Sequence, residues 1–450
     1  MSNRRRGGFN AHPNTTKNKK NKKMNDIVFI KGNGGMGRKA ANADIISGLL
    51  MGMRGKIDPT TDLKKGFIKV VVGTETLYIA EIKNYLQLKD LFGIEPTEWV
   101  SGVAFTDSQI CANAIDYHVS EFFRMSPTGK LWLAIKVNDE ITGDDIKTLQ
   151  YQAIGEIRQV SVLTTTTDLA TTVSKYQKAA TELETEHQPL SIVIVPNKAE
   201  FCPAATSTVP NPLPEIEYLQ TENYKDEGCC NVSILVSGDR DPKLLKRISD
   251  DTIPDAYFAD FGCAGTILGT ISAAKVNECI AWVGKFPLKL KQPGFITGEL
   301  LKDVSLSKQD DINKNRYIFV RHHAGKAGNW FNDSFTLDLE TSDYTYIENV
   351  RTMDKATRGV RANLLDYLNS PLKVDAKSGK IDTATVAVLE NVAGKALEDM
   401  EKAGELSGYK VVIDPDQDVI ATSTVVVSIV NVPMGVMRDV EINIGYSKSI

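Results

Sequence analysis

The sequence is poor in the residues that most often carry chemistry. Its 450 residues hold five histidines and six cysteines, and neither set is patterned. Cys111, Cys202, Cys229, Cys230, Cys263 and Cys279 show no C-x-x-C spacing, and the adjacent pair is badly placed for a mutual disulfide. No H-x-x-x-H or H-E-x-x-H occurs. Zinc and redox-dithiol readings therefore have little support, and free thiols in a reducing compartment are expected. The nucleophile elbow G-x-S-x-G is missing too, so Arg321-His322-His323 has no partner for acid–base chemistry and reads as surface or interface. Apolar runs are short. None approaches the ~18 residues of a membrane-spanning helix, and no membrane anchor or export signal is expected.

What is present is an ordinary globular composition, 42% hydrophobic and 24% charged. The chain is long for a single core and suits two or three domains. Charge is unevenly spread. Residues 1–23 carry Arg4, Arg5, Arg6, Lys17, Lys19, Lys20, Lys22 and Lys23 and no acid. The whole chain stands at −4, and without those eight charges it stands at −12. An acidic body makes a nucleic-acid groove unlikely. The basic segment reads as a disordered, solubilising leader before a possible start at Met24.

Patterning predicts an α/β layout from Phe67 to about residue 285. Strand-like runs Phe67–Val72, Thr76–Ile79, Leu131–Val137, 160–164, Ser191–Val195 and Asn231–Val236 alternate with helical patterns at Ile82–Phe92, Ser108–Phe123, 143–159, 167–187 and within Gly262–Val283. Such alternation implies a mostly parallel sheet covered on both faces. Residues 200–216, rich in Pro, Ser and Thr, read as a loop. The texture then becomes α+β: short strands at Tyr317–Arg321 and Ser334–Leu337, helices at Tyr346–Leu368 and Ile381–Ala403, and strands at Tyr409–Ile413, Thr422–Val432 and Val436–Tyr446.

Two motifs invite sharper readings. Gly32-Asn33-Gly34-Gly35-Met36-Gly37 is a G-x-G-x-x-G directly after the strand-like Ile27–Ile30. A dinucleotide site would need an acid ending a second strand roughly 20 residues on. Asp58 has the spacing, but Met53–Ile57 does not read as a buried strand, so a hinge is the better reading. Asp414-Pro415-Asp416-Gln417-Asp418 has alternating acids, yet Val419 and Val425 stand where a calcium loop needs Gly and Glu. A turn is expected there. No catalytic set, metal site or cofactor site emerges.

A charged stripe is more suggestive. Arg351, Lys355, Arg358 and Arg361 recur on one flank of the helix beginning near Tyr346, with Val350, Val360, Leu364 and Leu368 on another. The following helix ends in Glu398, Asp399, Glu401 and Glu405. Complementary stripes in one domain suit head-to-tail assembly, with one copy's basic face on the next copy's acids.

The C-terminal half resembles a known family. Asn332-Asp333-Ser334, Asp343–Thr352, Asp354–Arg361, Pro371-Leu372, Gly404–Ser407, Val412–Pro415 and the strand pair Thr424–Val432/Val436–Gly445 resemble the conserved domain of contractile tail sheath proteins. Gly265-Thr266-Ile267-Leu268-Gly269 and the Tyr117–Phe123/Leu131–Val137 order resemble it more weakly. The resemblance implies a structural, non-enzymatic subunit without cofactor. It implies stacked rings of this chain around an inner tail tube protein, bounded by baseplate and tail terminator, assembled in the host cytoplasm and then part of the tail. It also implies strand exchange by terminal arms, here Ile27, Val28, Phe29, Ile30 and Lys31 at one end and Val440, Glu441, Ile442, Asn443, Ile444 and Tyr446 at the other. The expected organisation is a basic tail 1–23, an arm and glycine-rich linker 24–66, an α/β domain 67–285, an α+β sheath domain 286–435 and a C-terminal arm strand 436–450. A dinucleotide-dependent oxidoreductase and a non-contractile virion or baseplate component are the alternatives.

Overall fold

The structure, a computed structural model, describes residues 43–53, 66–97, 106–137, 140–164, 168–196, 215–225, 227–240 and 262–447. Among these, seven strands form one sheet: β1 (Ile46–Met53), β2 (Ile68–Val72), β3 (Glu75–Ile82), β4 (Lys130–Val137), β5 (Gln159–Leu163), β6 (Ser191–Val195) and β7 (Val232–Ile234). Their order is β2-β3-β4-β1-β5-β6-β7. From β4 to β7 all pairings are parallel, while β2–β3 and β3–β4 are antiparallel. The sheet is thus parallel with an antiparallel edge. β5 and β6 are buried along their whole length, as parallel strands covered on both faces must be.

Helices α1 (Leu86–Asp90), α2 (Asp107–Met125), α3 (Gly143–Gln152), α4 (Leu169–Thr185), α5 (Glu215–Thr221) and α6 (Ala264–Ala273) accompany the sheet. A capping box of Thr106 and Gln109 starts α2, and one of Thr142 and Asp145 starts α3. α4 packs on β6 and β7, and α6 on β1, β5 and β6. α6 also meets α2 at very short range. A Cβ on Gly265 would lie 2.1 Å from the His118 carbonyl oxygen, and one on Gly269 would lie 2.6 Å from that of Phe122. Only glycine lets the two backbones come so close.

β1 corrects the sequence reading. Residues 24–66 are expected to be arm and linker, yet Ile46–Met53 lies mid-sheet, paired in parallel with β4 on one side and β5 on the other. Ile46, Leu49, Leu50 and Met51 are buried. The strand, Ile-Ser-Gly-Leu-Leu-Met-Gly-Met, has a single β-branched residue and two glycines, which read as hinge. At Gly48 the glycine answers a packing need, because a Cβ would lie 2.9 Å from Val160 and 3.0 Å from Leu149. Smaller corrections concern Ile82–Phe92, where β3 runs on to Ile82 and only Leu86–Asp90 is helical, and the loop 200–216, inside which α5 begins.

β8 (Ser237–Asp239), which precedes α6, pairs with β9 (Pro293–Phe295), which follows it; then come helix α7 (Leu306–Lys314) and β10 (Val320–Arg321) paired with β11 (Trp330–Phe331). The main hydrophobic core runs without a break from Ile46 to Ile347 and includes Leu288, Phe295, Phe319 and Leu337. It therefore crosses the boundary expected at residue 286. The rest is α8 (Ile347–Leu364), α9 (Thr383–Lys402), β12 (Leu406–Ile413), a short α10 (Val419–Thr422) and β13 (Val427–Pro433). Two small clusters hold these together, one around Ala356, Leu397, Met400 and Leu406, the other around Ile381, Val386, Leu389 and Ile413. The strand pairing is also corrected: β13 pairs antiparallel with β12, not with 436–446, which carries no strand.

Candidate assembly surfaces

The basic stripe of α8 turns inward. Arg351 is 3% exposed and donates from both Nη atoms, at 3.3 Å, to the carbonyls of Ala274 and Lys275 at the end of α6. Lys355 Nζ lies 2.9 Å from Asp44 Oδ2 and 2.8 Å from Glu405 Oε1. Arg358 Nη2 donates to Asp44 Oδ1 at 3.0 Å. Burial alone would raise the Asp44 pKa, but Lys355 and Arg358 outweigh it and hold the carboxyl below its usual range. Arg351, Lys355, Arg358 and Glu405 are thus engaged within their own chain, a correction to the expectation that they face a neighbour. Arg361 and Glu401 remain exposed, and Glu398 pairs with Lys402 one turn on. The stripe misleads because spacing places residues on a helix flank without saying which flank meets solvent.

Beside this cluster sits Asp354, buried, its pKa raised to about 7 by desolvation, which Glu184 reinforces and Arg358, Arg158 and Arg351 oppose. An unfolded aspartate titrates near 4. Between those values the folded chain binds the extra proton, so this group's contribution to stability falls as pH rises from about 4 to 7. Asp354→Asn removes that loss. Thermal melts should show the variant more stable than wild type at pH 8 by on the order of 4 kcal/mol, with the difference vanishing near pH 4. A pH-independent difference would contradict this.

The second feature was not foreseen from the sequence. Arg438 is clamped onto the body: Nε lies 3.0 Å from Asp333 Oδ2, Nη2 donates to Glu348 Oε1 at 2.6 Å, and the guanidinium lies 3.4 Å from the centre of the Tyr346 ring. Glu348, in the first turn of α8, is 3% exposed, and its other oxygen accepts from Ser334 Oγ at 2.5 Å. Burial pushes the Glu348 pKa up against the pull of Arg438. Burial works against the charge on Arg438, but Asp333 and Glu348 win and strengthen its hold on the proton. The signal lay in Asp333, Ser334 and Glu348, all within the quoted motifs; nothing local tied them to an arginine about 90 residues on.

Beyond Arg438 the chain leaves the body. Val440, Ile442 and Tyr446 are exposed, Ile444 is 93% exposed, and 434–447 pairs with no strand among the described residues. Apolar residues alternating with Glu441, Asn443 and Gly445 have the period of a strand with one face to bury. The β12–β13 hairpin is similarly incomplete. Its outer face shows Val412, Val430 and Val432, and a two-stranded sheet is marginal by itself. Ile27–Lys31, the glycine run 32–37 and Asp58 lie outside the described residues. The acids at 414–418 serve local structure: Asp418 caps α10, and Asp416 pairs with Lys380. His322 Nδ1 lies 2.8 Å from the Gly328 carbonyl oxygen, and the His323 ring lies tilted against that of Trp330. No helix among the described residues is long and apolar enough to cross a membrane.

This architecture has solved counterparts. A subunit of the anti-feeding prophage helical sheath in its contracted state matches with a TM-score of 0.54 at 14% identity, over 94% of this chain and 100% of that one. A chain of the PVC extracellular contractile injection system's contracted sheath complex matches at 0.55 and 11% identity, over 95% and 99%. The chain has the fold of contractile sheath proteins. A chain of the anti-feeding prophage baseplate matches comparably, at 0.54 and 13% identity over 93% and 98%. In sequence, residues 343–450 match the family described as DUF2586, C-terminal domain. A putative tail sheath protein of Haemophilus phage HP1 (strain HP1c1) is 28% identical over 106 residues, 24% of this chain and 27% of that protein. The sequence match thus spans about a quarter of that relative's length. The sheath-like character expected from the C-terminal motifs agrees with these comparisons, and none of the names is an enzyme's.

Proposed function

We propose that this chain is the structural, non-enzymatic subunit of a contractile tail sheath, polymerising around an inner tube and shortening to drive it through a target envelope. The observation that carries the reading is the likeness to two contracted-sheath chains along nearly the whole sequence. The exposed strand-like segment 440–446 and the unfinished β12–β13 sheet supply a physical means of assembly. Main-chain hydrogen bonds between one copy's arm and another copy's sheet would bury the apolar alternation and fix register. The N-terminal segment containing Ile27–Lys31 takes the same part at the other end, and Arg361 and Glu401 are the stripe residues left to meet a neighbour. Contraction then moves largely rigid bodies while the arms bend, driven by a lower-energy packing and needing no nucleotide. Its partners are further copies of itself, the inner tube, the baseplate and the tail terminator; it assembles in the host cytoplasm and ends in the tail.

A second structural reading, a fixed baseplate component, is favoured by the baseplate match. Deletion tests the arm. Full-length protein should sediment as large, heterogeneous assemblies, and protein lacking residues 1–31 as a folded species of one or a few subunits. Purified protein should carry no nicotinamide or flavin absorbance. Indifference of the assemblies to the deletion would count against the arm, and a bound cofactor against the whole reading.

A further inference from the structure

The Asp44 pairs and the Arg438 clamp sit on the same helix. Asp44 stands near the start of the described chain, immediately before β1, and is held by Lys355 and Arg358 of α8. Arg438 stands five residues after β13, immediately before the exposed 440–446, and is held by Glu348 of α8 together with Asp333. Along a helix rising 1.5 Å per residue, Lys355 and Arg358 lie roughly 10 and 15 Å from Glu348. Both sets of contacts are partly or wholly buried and hydrogen-bonded, the setting in which ion pairs resist breaking. Arg351, between them, fastens the same helix to the end of α6. The Arg438 root is held to α8 by side chains alone. The Asp44 root is also held to the sheet, since Gln159 Nε2 donates to the Asp44 carbonyl at 3.1 Å and β1 begins two residues on. At that end the Lys355 and Arg358 pairs are what join α8 to the root.

We propose that α8 is a rigid tie between the roots of the two terminal segments, so that a pull on the C-terminal one is delivered to the N-terminal root, and to the sheet beside it, through a single helix. Its consequence in a particle rests on the sheath reading above. A flexible junction at either root would let an arm move without moving its body. With both roots fixed to α8, displacement of a neighbour reorients the whole subunit, and the two roots keep a constant separation while it does so.

The test begins on the unassembled protein. Asp333→Asn/Glu348→Gln neutralises the clamp and leaves Arg438 as a tryptic site. Cleavage after Arg438 should be slow in wild type and about tenfold faster in this variant. Equal rates would overturn the clamp as a fixed root. In assembled material, this variant, Asp44→Asn, and the combination of both should each fail to shorten normally, or should give shorter particles. The combination should be no worse than either part, because a tie cut at one end is already cut. Multiplying defects would mean two independent anchors and would overturn the proposal, as would normal particles from either part. Should Asp44→Asn not fold, Lys355→Gln removes one of its two partners instead. If wild type forms no particles, the sheath reading fails and the tie's role falls with it, while the trypsin result still reports on the clamp.

Discussion

Chains that stop after Asp439 are expected to melt like the full-length protein and to build no sleeves, whereas chains that stop after Gly435 also lose stability. The two truncations differ by Val436, Met437, Arg438 and Asp439, and of these Arg438 makes the ion pairs to the body. Among the described residues, those from Asp439 to Tyr446 are exposed and join no sheet, so removing the segment beyond Asp439 should leave the core packed as it is. Removal of Arg438 itself leaves Glu348 buried beside Asp333 without the cation that both face. Orphaning a buried charge costs several kcal/mol, here about 3, with part recovered as Glu348 takes up a proton. The melting temperature of the shorter chain should therefore fall by several degrees, and less so at acid pH. Sleeves from chains ending at Asp439 would remove the C-terminal strand from the assembly mechanism. Equal melting temperatures for the two truncations would remove the clamp.

Gly265→Ala should be among the most damaging single-methyl changes in the molecule. The added Cβ would sit 2.1 Å from a backbone oxygen of α2, where no rotamer change can relieve it. The helices must part, opening the core that Phe122, Ile267, Leu268 and Ile271 fill. Overpacking of this kind costs about 3 kcal/mol or more and is expected to appear as low soluble yield and a melting temperature lowered by many degrees. Gly408→Ala is the control. It has open space around it and an ordinary backbone, and should change little. Near-normal melting of Gly265→Ala would show that α2 and α6 do not pack as described.

The legible parts of this fold are those where side-chain period and backbone agree. Ser191–Val195 reads as a buried parallel strand and is one, because five consecutive apolar or small residues ended by proline leave few alternatives. The helices near 108–123, 346–368 and 381–403 are legible from their apolar faces. β1 is not, since Gly48 serves close approach to Val160 and Leu149, and glycine carries no period. The candidate surface divides in the same way. The apolar alternation at 440–446 is visible as a strand, but that it pairs with no strand among the described residues is not a local property. The stripe on α8 is visible as charge, but its destination depends on Asp44, more than 300 residues earlier. Pairings so remote in sequence leave no periodic trace.

The central claim is that this chain closes its unfinished strands on copies of itself in a helical array. Negative-stain electron microscopy of the full-length protein, purified alone and concentrated, addresses it most directly. The account predicts hollow sleeves of uniform width and variable length, lost when the chain ends at Asp439. Discrete monomers or small closed rings at every concentration, unchanged by that truncation, would contradict it.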